Sequence, residues 1–287
     1  MRTALITGAN QGIGFALVEE LAARWTSDDV VLLTGRNPDR VAHAVARATA
    51  DPARNARVEG RLLDVSDATA VAAAAADFAG QGLDVVLSNA AARLTPDRTQ
   101  REQADEFITV ANGGTHAMLR SFGPVVRPGG RLVVVASSLG TLGNLPEAVR
   151  PLFGDHDSLD DVERTVEAWR AAIHDGTAPD VGWPDWINVP SKVAQVAAVR
   201  AVARQRRDRD LADGTLVSVV CPGLVDTPAS RPWFPDFSRA RTPARAATAL
   251  LDFVLADPID PATYGELVRD GAVLPWSAYR SPVAYQA

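Results

Sequence analysis

The residues with the clearest chemical potential are Thr7-Gly8-Ala9-Asn10-Gln11-Gly12-Ile13-Gly14, because their order suits the binding of a pyrophosphate. An apolar run, Ala4-Leu5-Ile6, leads into them and a helical pattern from Phe15 to Arg24 leads out. In such a strand-turn-helix Gly8 permits the tight turn, Gly12 lets backbone N–H groups approach a phosphate, and Gly14 lets the helix pack closely on the sheet. The phosphate then meets the unpaired N–H groups and the positive dipole end of the helix. Glycine spacing alone also fits an ordinary tight turn; the flanking strand and helix are what favour a nucleotide loop. Gly8, Asn10, Gln11, Gly12, Ile13 and Gly14 are therefore the expected phosphate contacts.

An open α/β sheet binds its ligands past the carboxyl ends of its strands, so the residues after each later strand-like run come next. After the second run stands Thr34-Gly35-Arg36, where a fold selecting the unphosphorylated dinucleotide would carry an acid for the ribose 2′-OH. An arginine instead suits a 2′-phosphate and favours NADP(H), although Arg36 could also simply cover the sheet edge. After the third run Asp64 and Val65 fall beside the expected adenine pocket, with the alternative that Asp64 caps the next helix as Ser66 or Asp67 could. After the fourth, Ser88-Asn89-Ala90-Ala91 brings Asn89 and Ala90 against the cofactor. After the sixth, Pro222, Gly223, Val225 and Thr227 offer a rigid turn and a hydroxyl at the nicotinamide end.

These residues need a scaffold, and the chain supplies a regular one. Strand-like and helix-like runs alternate from Ala4–Thr7 to Glu266–Arg269, and continuous apolar strands such as Val30-Val31-Leu32-Leu33 require a parallel sheet covered on both faces. The reading is an α/β doubly wound Rossmann-type sheet of seven parallel strands, forming one domain over residues 1–287. Among the helices, one long run is expected over Gln103–Val126 and another over Ser191–Arg206. Almost fifty residues between Leu139 and Asn188 exceed any simple connection, so a helical insertion is expected over about 140–187. Ser158 as N-cap with Asp161 at the third helical position marks a helix start inside it. The Ala72–Ala76 run is strong helix former and nothing more.

A chain of 287 residues with 47% hydrophobic content can bury a large core, and its net charge of -6 offers no basic face for nucleic acid. The short cluster Arg204-Gln205-Arg206-Arg207 suits the last turn of a helix instead. A single cysteine, Cys221, excludes an intramolecular disulfide and fits a reducing compartment. No apolar run approaches the roughly 18 residues of a membrane span, and no signal pattern precedes the first strand. A soluble, cytoplasmic protein is expected, acting on a small molecule without nucleic acid or membrane.

Taken together, the glycine loop, Leu63-Asp64-Val65, Ser88-Asn89-Ala90-Ala91, Gly130-Arg131 through Ser137-Ser138, Gly182-Trp183-Pro184, Lys192 and Pro222-Gly223-Leu224-Val225-Asp226-Thr227 make the chain similar to the short-chain dehydrogenase/reductase family, over nearly its whole length. The long insertion resembles that of the carbonyl reductase branch, and it implies a monomer by blocking the helix pairing through which most of the family dimerises. The resemblance implies Ser137 as the serine that binds the carbonyl oxygen, with Ser138 as its alternative, and Lys192 as the active-site lysine, which also anchors the nicotinamide ribose. Four residues before that lysine the family carries a tyrosine that donates the proton; here stands Asn188. The family's relay asparagine falls on Ala111, with Asn112 one residue on.

A carboxamide does not titrate, whereas a phenol of unperturbed pKa about 10 can be drawn toward neutrality by a nearby ammonium. Losing a positioned acid costs on the order of 10²–10⁴ in rate. Asn188 and Ser137 still provide two neutral donors for a carbonyl or developing oxyanion. Three readings follow: an NADPH-dependent reductase of a quinone, enone, imine or iminium that needs no protein acid; a non-redox isomerase, dehydratase or binding protein with bound NADP(H); or a carbonyl reductase using His174, Asp185 or a water held by Lys192. Tyr264, Tyr279 and Tyr285 are poor substitutes by position. Leu139, Trp183, Trp186, Leu224 and Trp233 are expected around a bulky apolar substrate, although each tryptophan suits a core equally well. The proline-rich stretch Asp226–Arg241 has the look of a lid.

Overall fold

The computed structural model describes residues 1–282. Its sheet holds eight strands in the order β3-β2-β1-β4-β5-β6-β7-β8: β1 Thr3–Ile6, β2 Val30–Gly35, β3 Arg57–Leu62, β4 Leu83–Ser88, β5 Val126–Val135, β6 Leu216–Val220, β7 Leu267–Arg269 and β8 Ala272–Val273. The first seven run parallel, as expected, and β8 adds an antiparallel edge. That edge depends on a two-residue turn with positive φ at both positions, Asp270 (52°) and Gly271 (77°), the geometry a tight hairpin prefers. Chain order reverses between β1 and β4, so the crevice for a ligand opens at their carboxyl ends.

Alternation along each strand divides the core in two. Ala4, Ile6, Val31, Leu33, Val133 and Val135 face one side, under α1 Gly12–Arg24, α2 Pro38–Thr49 and α9 Pro243–Val254. Leu5, Leu32, Val86, Leu132, Val134 and Val219 face the other. There they meet α3 Ala68–Ala76, α4 Gln100–Ile108, α5 Gly114–Phe122 and α8 Asn188–Ala212. The edge strand β3 exposes Arg57, Glu59 and Arg61, charges that keep it from pairing with another sheet.

The expected helix over Gln103–Val126 is interrupted. A π-helical turn, Thr109–Gly113, separates α4 from α5, and a 3₁₀ turn, Gly123–Val125, leads into β5. The insertion between β5 and α8 carries α6 Leu159–Asp175 and the short α7 Ala178–Val181. Ser158 caps α6 through a reciprocal capping box with Asp161, as its sequence suggests, and Gly176 ends it in a left-handed conformation. Its face of Val162, Val166, Trp169 and Ile173 lies buried, and α6 packs on α4 and α8.

Candidate active site

The glycine loop is built around a missing Cβ at each of two positions. Gly8 has φ +61° and a Cβ there would fall 2.7 Å from the Ala90 Cα; a Cβ on Gly14 would fall 2.5 Å from both Gly8 O and Asn89 Nδ2. Thr7 ties the loop to β4, its buried hydroxyl accepting from the Asn89 and Ala90 amides at 2.9 and 3.0 Å. Asn89 donates its carboxamide to the Thr7 and Gly8 carbonyls. Asn89, expected against the cofactor, therefore spends its N–H groups on bracing the loop. Gly12, with φ +58° and open space around it, leaves the backbone at the helix start accessible, as a phosphate site requires. Gln11 is exposed beside it, and the Asn10 side chain reaches to within 3.2 Å of where a Gly35 Cβ would be.

Arg36 follows β2 with its side chain 62% exposed and a long ion pair of 3.6 Å to Glu106 of α4, so its guanidinium is available past the carboxyl end of β2. Asp64 accepts from the Ser66 amide at 3.0 Å and hydroxyl at 2.6 Å. Burial is the largest single influence and raises its pKa, but these bonds and the nearby Arg36 together outweigh it and hold the pKa below the usual carboxylate value. Asp67 is the cap of α3, accepting from the Thr69 and Ala70 amides. Val65 is buried in the core against Gly114, where a Cβ would come within 2.7 Å of its side chain.

Past the carboxyl ends of β4, β5 and β6 lies a cavity of about 220 Å³. Ser137, Asn188 and Lys192 share its wall, together with Ile13 from the glycine loop and Gly223, Leu224, Val225 and Thr227 after β6. Ser137 caps a 3₁₀ turn, its Oγ accepting from the Leu139 amide at 3.3 Å. Ser138 also lines the cavity but hydrogen-bonds Ser281 at 3.1 Å. Asn188 and Lys192, one helical turn apart at the start of α8, present their side chains to the same side. Burial pushes the Lys192 ammonium down to about 8, partly offset by Cys221 at the end of β6.

Leu139, Trp186, Leu224 and Trp233 form an apolar wall, the two indoles 5.7 Å apart at 33°. Trp233 is further fixed by donating Nε1–H to the Leu94 carbonyl at 3.3 Å. Trp183 is the exception: it lies inside the insertion, edge-on to Phe153 and tilted against Trp169 of α6. The stretch after Asp226 forms a side of the cavity through Ala229, Ser230, Trp233 and Phe234. Sequence reasoning missed Arg93, Phe107, Phe234 and Ser281, none of which stands in a recognisable motif.

No tyrosine, histidine, aspartate or glutamate lines this cavity among the described residues. Tyr264 is buried elsewhere, donating to Asp210 Oδ2 at 2.7 Å, and burial first, with Asp210, raises its pKa far above the usual phenol value. Tyr279 bonds through its carbonyl to Thr141 away from the wall, and Tyr285 lies outside the described residues. His174 faces Asp105 at 2.8 Å on the surface, and Asp185 is exposed off the cavity. The two substitutes suggested by sequence are thus not brought to the site.

A model of the family described as short chain dehydrogenase matches residues 2–149. Carbonyl reductase (NADPH) 3 of Mus musculus is 30% identical over 96% of this chain and 98% of its own length. The chain belongs to the short-chain dehydrogenase family. Carbonyl reductase (NADPH) 1 of Mus musculus is 27% identical over 95% of this chain and 98% of that protein. Salutaridine reductase from Papaver somniferum superposes with a TM-score of 0.77 at 21% identity, covering 93% of this chain and 99% of that one. A short chain dehydrogenase from Burkholderia cenocepacia in complex with NADP gives 0.64 at 20% identity, covering 94% and 96%. Among the described residues, no helix is long and apolar enough to cross a membrane.

Proposed function

We propose that this short-chain dehydrogenase is an NADPH-dependent reductase of a planar, conjugated acceptor of quinone or enone type, working without a phenol acid. NADPH supplies the hydride. The glycine loop suits its pyrophosphate, Arg36 its 2′-phosphate, and Lys192 its nicotinamide ribose. Ser137 and Asn188 donate hydrogen bonds to the acceptor oxygen, where charge gathers as hydride arrives. A conjugated acceptor spreads that charge, so water can deliver the proton afterwards. Trp186, Trp233 and Phe234 supply flat apolar contacts for such a ring.

The observation that carries this reading is the cavity wall with Ser137, Asn188 and Lys192 on it and no tyrosine, histidine or carboxylate among the described residues. The same wall bears on the choice of electrophile. Its charged groups are Lys192 and Arg93, both cationic, which disfavour a preformed iminium and favour an uncharged acceptor. A non-redox role with bound NADP(H) has no comparable support, since among the described residues no carboxylate, histidine or tyrosine faces the cavity to pair with Lys192 as acid and base. Following NADPH consumption over a panel of quinones, enones, cyclic imines and simple ketones tests the proposal. Turnover of quinones or enones well above simple ketones is expected; no oxidation of NADPH with any of the panel would contradict it.

A further inference from the structure

Of the 29 lysines and arginines in the chain, 28 are arginine and one is Lys192. Arginine stays charged at any accessible pH, whereas a lysine is a compact ammonium whose proton affinity its surroundings can tune. The lone lysine stands on the wall of the cavity, and what holds it there is unusual. Its Nζ donates to the Gln195 Oε1 at 2.7 Å, and Gln195 is its single hydrogen-bond partner among the described residues. Gln195 is itself 2% exposed. Its Nε2 donates to the Ala111 carbonyl at 3.0 Å and to the Thr115 Oγ1 at 2.8 Å, while the Thr115 hydroxyl donates to the same carbonyl at 2.7 Å. Ala111 lies in the π-helical turn between α4 and α5, so the carboxamide pins Lys192 to that turn.

From Lys192 onward each donor points away from the ammonium, and the chain of bonds ends on the Ala111 backbone carbonyl. The acceptor end of the carboxamide dipole thus faces the ammonium, which favours the charged form against the cost of burial. Because the amide is neutral and does not titrate, it contributes this without a compensating carboxylate. The other group that bears on Lys192 is Cys221 just after β6, a buried thiol, and Arg93 is the other charged residue that lines the cavity.

We propose that Gln195 is a positioning residue, which aims the Lys192 ammonium at the cavity and keeps it charged. This deepens the reading of the site given above, which gives a fixed cation its use at the cofactor ribose and acceptor. The test is read without cofactor or acceptor, so the proposal and that reading can fail separately.

A chain with one lysine allows a direct test. Protein labelled only in lysine with ¹³C at Cε gives one side-chain resonance, whose pH titration is read in the protein free of cofactor. Wild type is expected to titrate near 8. Gln195→Leu should move the midpoint down by about one unit or more, a tenfold change in proton affinity, and Gln195→Glu should move it up by a similar amount. Thr115→Val, which removes one of the two contacts on the amide, should shift it down by less. Circular dichroism shows which variants are folded, and Gln195→Glu and Thr115→Val carry the test should the leucine variant not fold. A midpoint unchanged from wild type in the folded variants would overturn the proposal. Loss of NADPH turnover with the shifts intact would overturn only the reductase reading.

Discussion

Arg36 decides the choice of cofactor if any single side chain does, because the turn after β2 holds no carboxylate to accept from a ribose 2′-OH. Its ion pair to Glu106, at 3.6 Å, joins two exposed groups and costs little to exchange for a phosphate. Arg36→Asp is therefore expected to weaken NADPH binding roughly 10- to 100-fold, the range of one hydrogen bond between charged groups, while NADH binding changes little. Equal losses in titrations of both cofactors would remove the role. At this scale the sequence was legible wherever backbone geometry dictates residue type. Gly8 and Gly14 stand where a Cβ would collide, so the loop declares itself. Asn89 was harder: a carboxamide after a strand suits a ligand as well as the carbonyls of a neighbouring loop, and only the distances to Thr7 and Gly8 decide. Trp183 and Trp186 are three residues apart in an irregular stretch, and nothing local tells which indole covers Trp169 and which faces the cavity.

Elements were legible by period and by caps. The helix α1 spans Gly12–Arg24, taking in the whole run expected from Phe15 to Arg24, and the Ser158–Asp161 box opens α6. The π turn at Thr109–Gly113 was not legible, because Val110, Ala111 and Asn112 suit an ordinary helix and the extra residue leaves no mark in composition. Yet that turn is where the network behind Lys192 ends. The insertion bears on assembly: α6 sets Val162, Val166, Trp169 and Ile173 against the molecule and packs over α4 and α8, helices that the family resemblance would otherwise leave for pairing with a second copy. We infer a monomer in solution. Light scattering at micromolar concentration should return one chain's mass of 30.4 kDa; a stable dimer would mean that the covered face is not the one that matters.

For the molecule as a whole, one buried group ties stability to pH. His116 on α5 is 5% exposed, and burial first, then the charge of Arg120, pushes its pKa down to about 4. The unfolded chain takes up a proton near 6.5 that the folded chain refuses until about 4, so this share of stability is full above 6.5 and is lost as pH falls. The loss amounts to about 3 kcal/mol over that window, at 1.36 kcal/mol per unit. Urea midpoints should thus fall steeply between pH 6.5 and 4.5 in wild type and less steeply in His116→Gln; parallel declines would remove His116 as the cause. Most carboxylates titrate below this window, which keeps the comparison clean. On the proposed reading hydride delivery does not depend on a phenol, since Asn188 stands one helical turn before Lys192 on the cavity wall and no tyrosine lines it among the described residues. Steady-state kinetics of wild type and Asn188→Tyr on one quinone and one simple ketone, across pH 5.5 to 9, tests it most directly. Efficient quinone turnover by wild type, poor ketone turnover, and a gain on the ketone of on the order of 10²-fold in Asn188→Tyr, with a new acid limb in its pH profile, are expected. A wild type that already reduces the ketone efficiently with a clear acid limb of its own would contradict it.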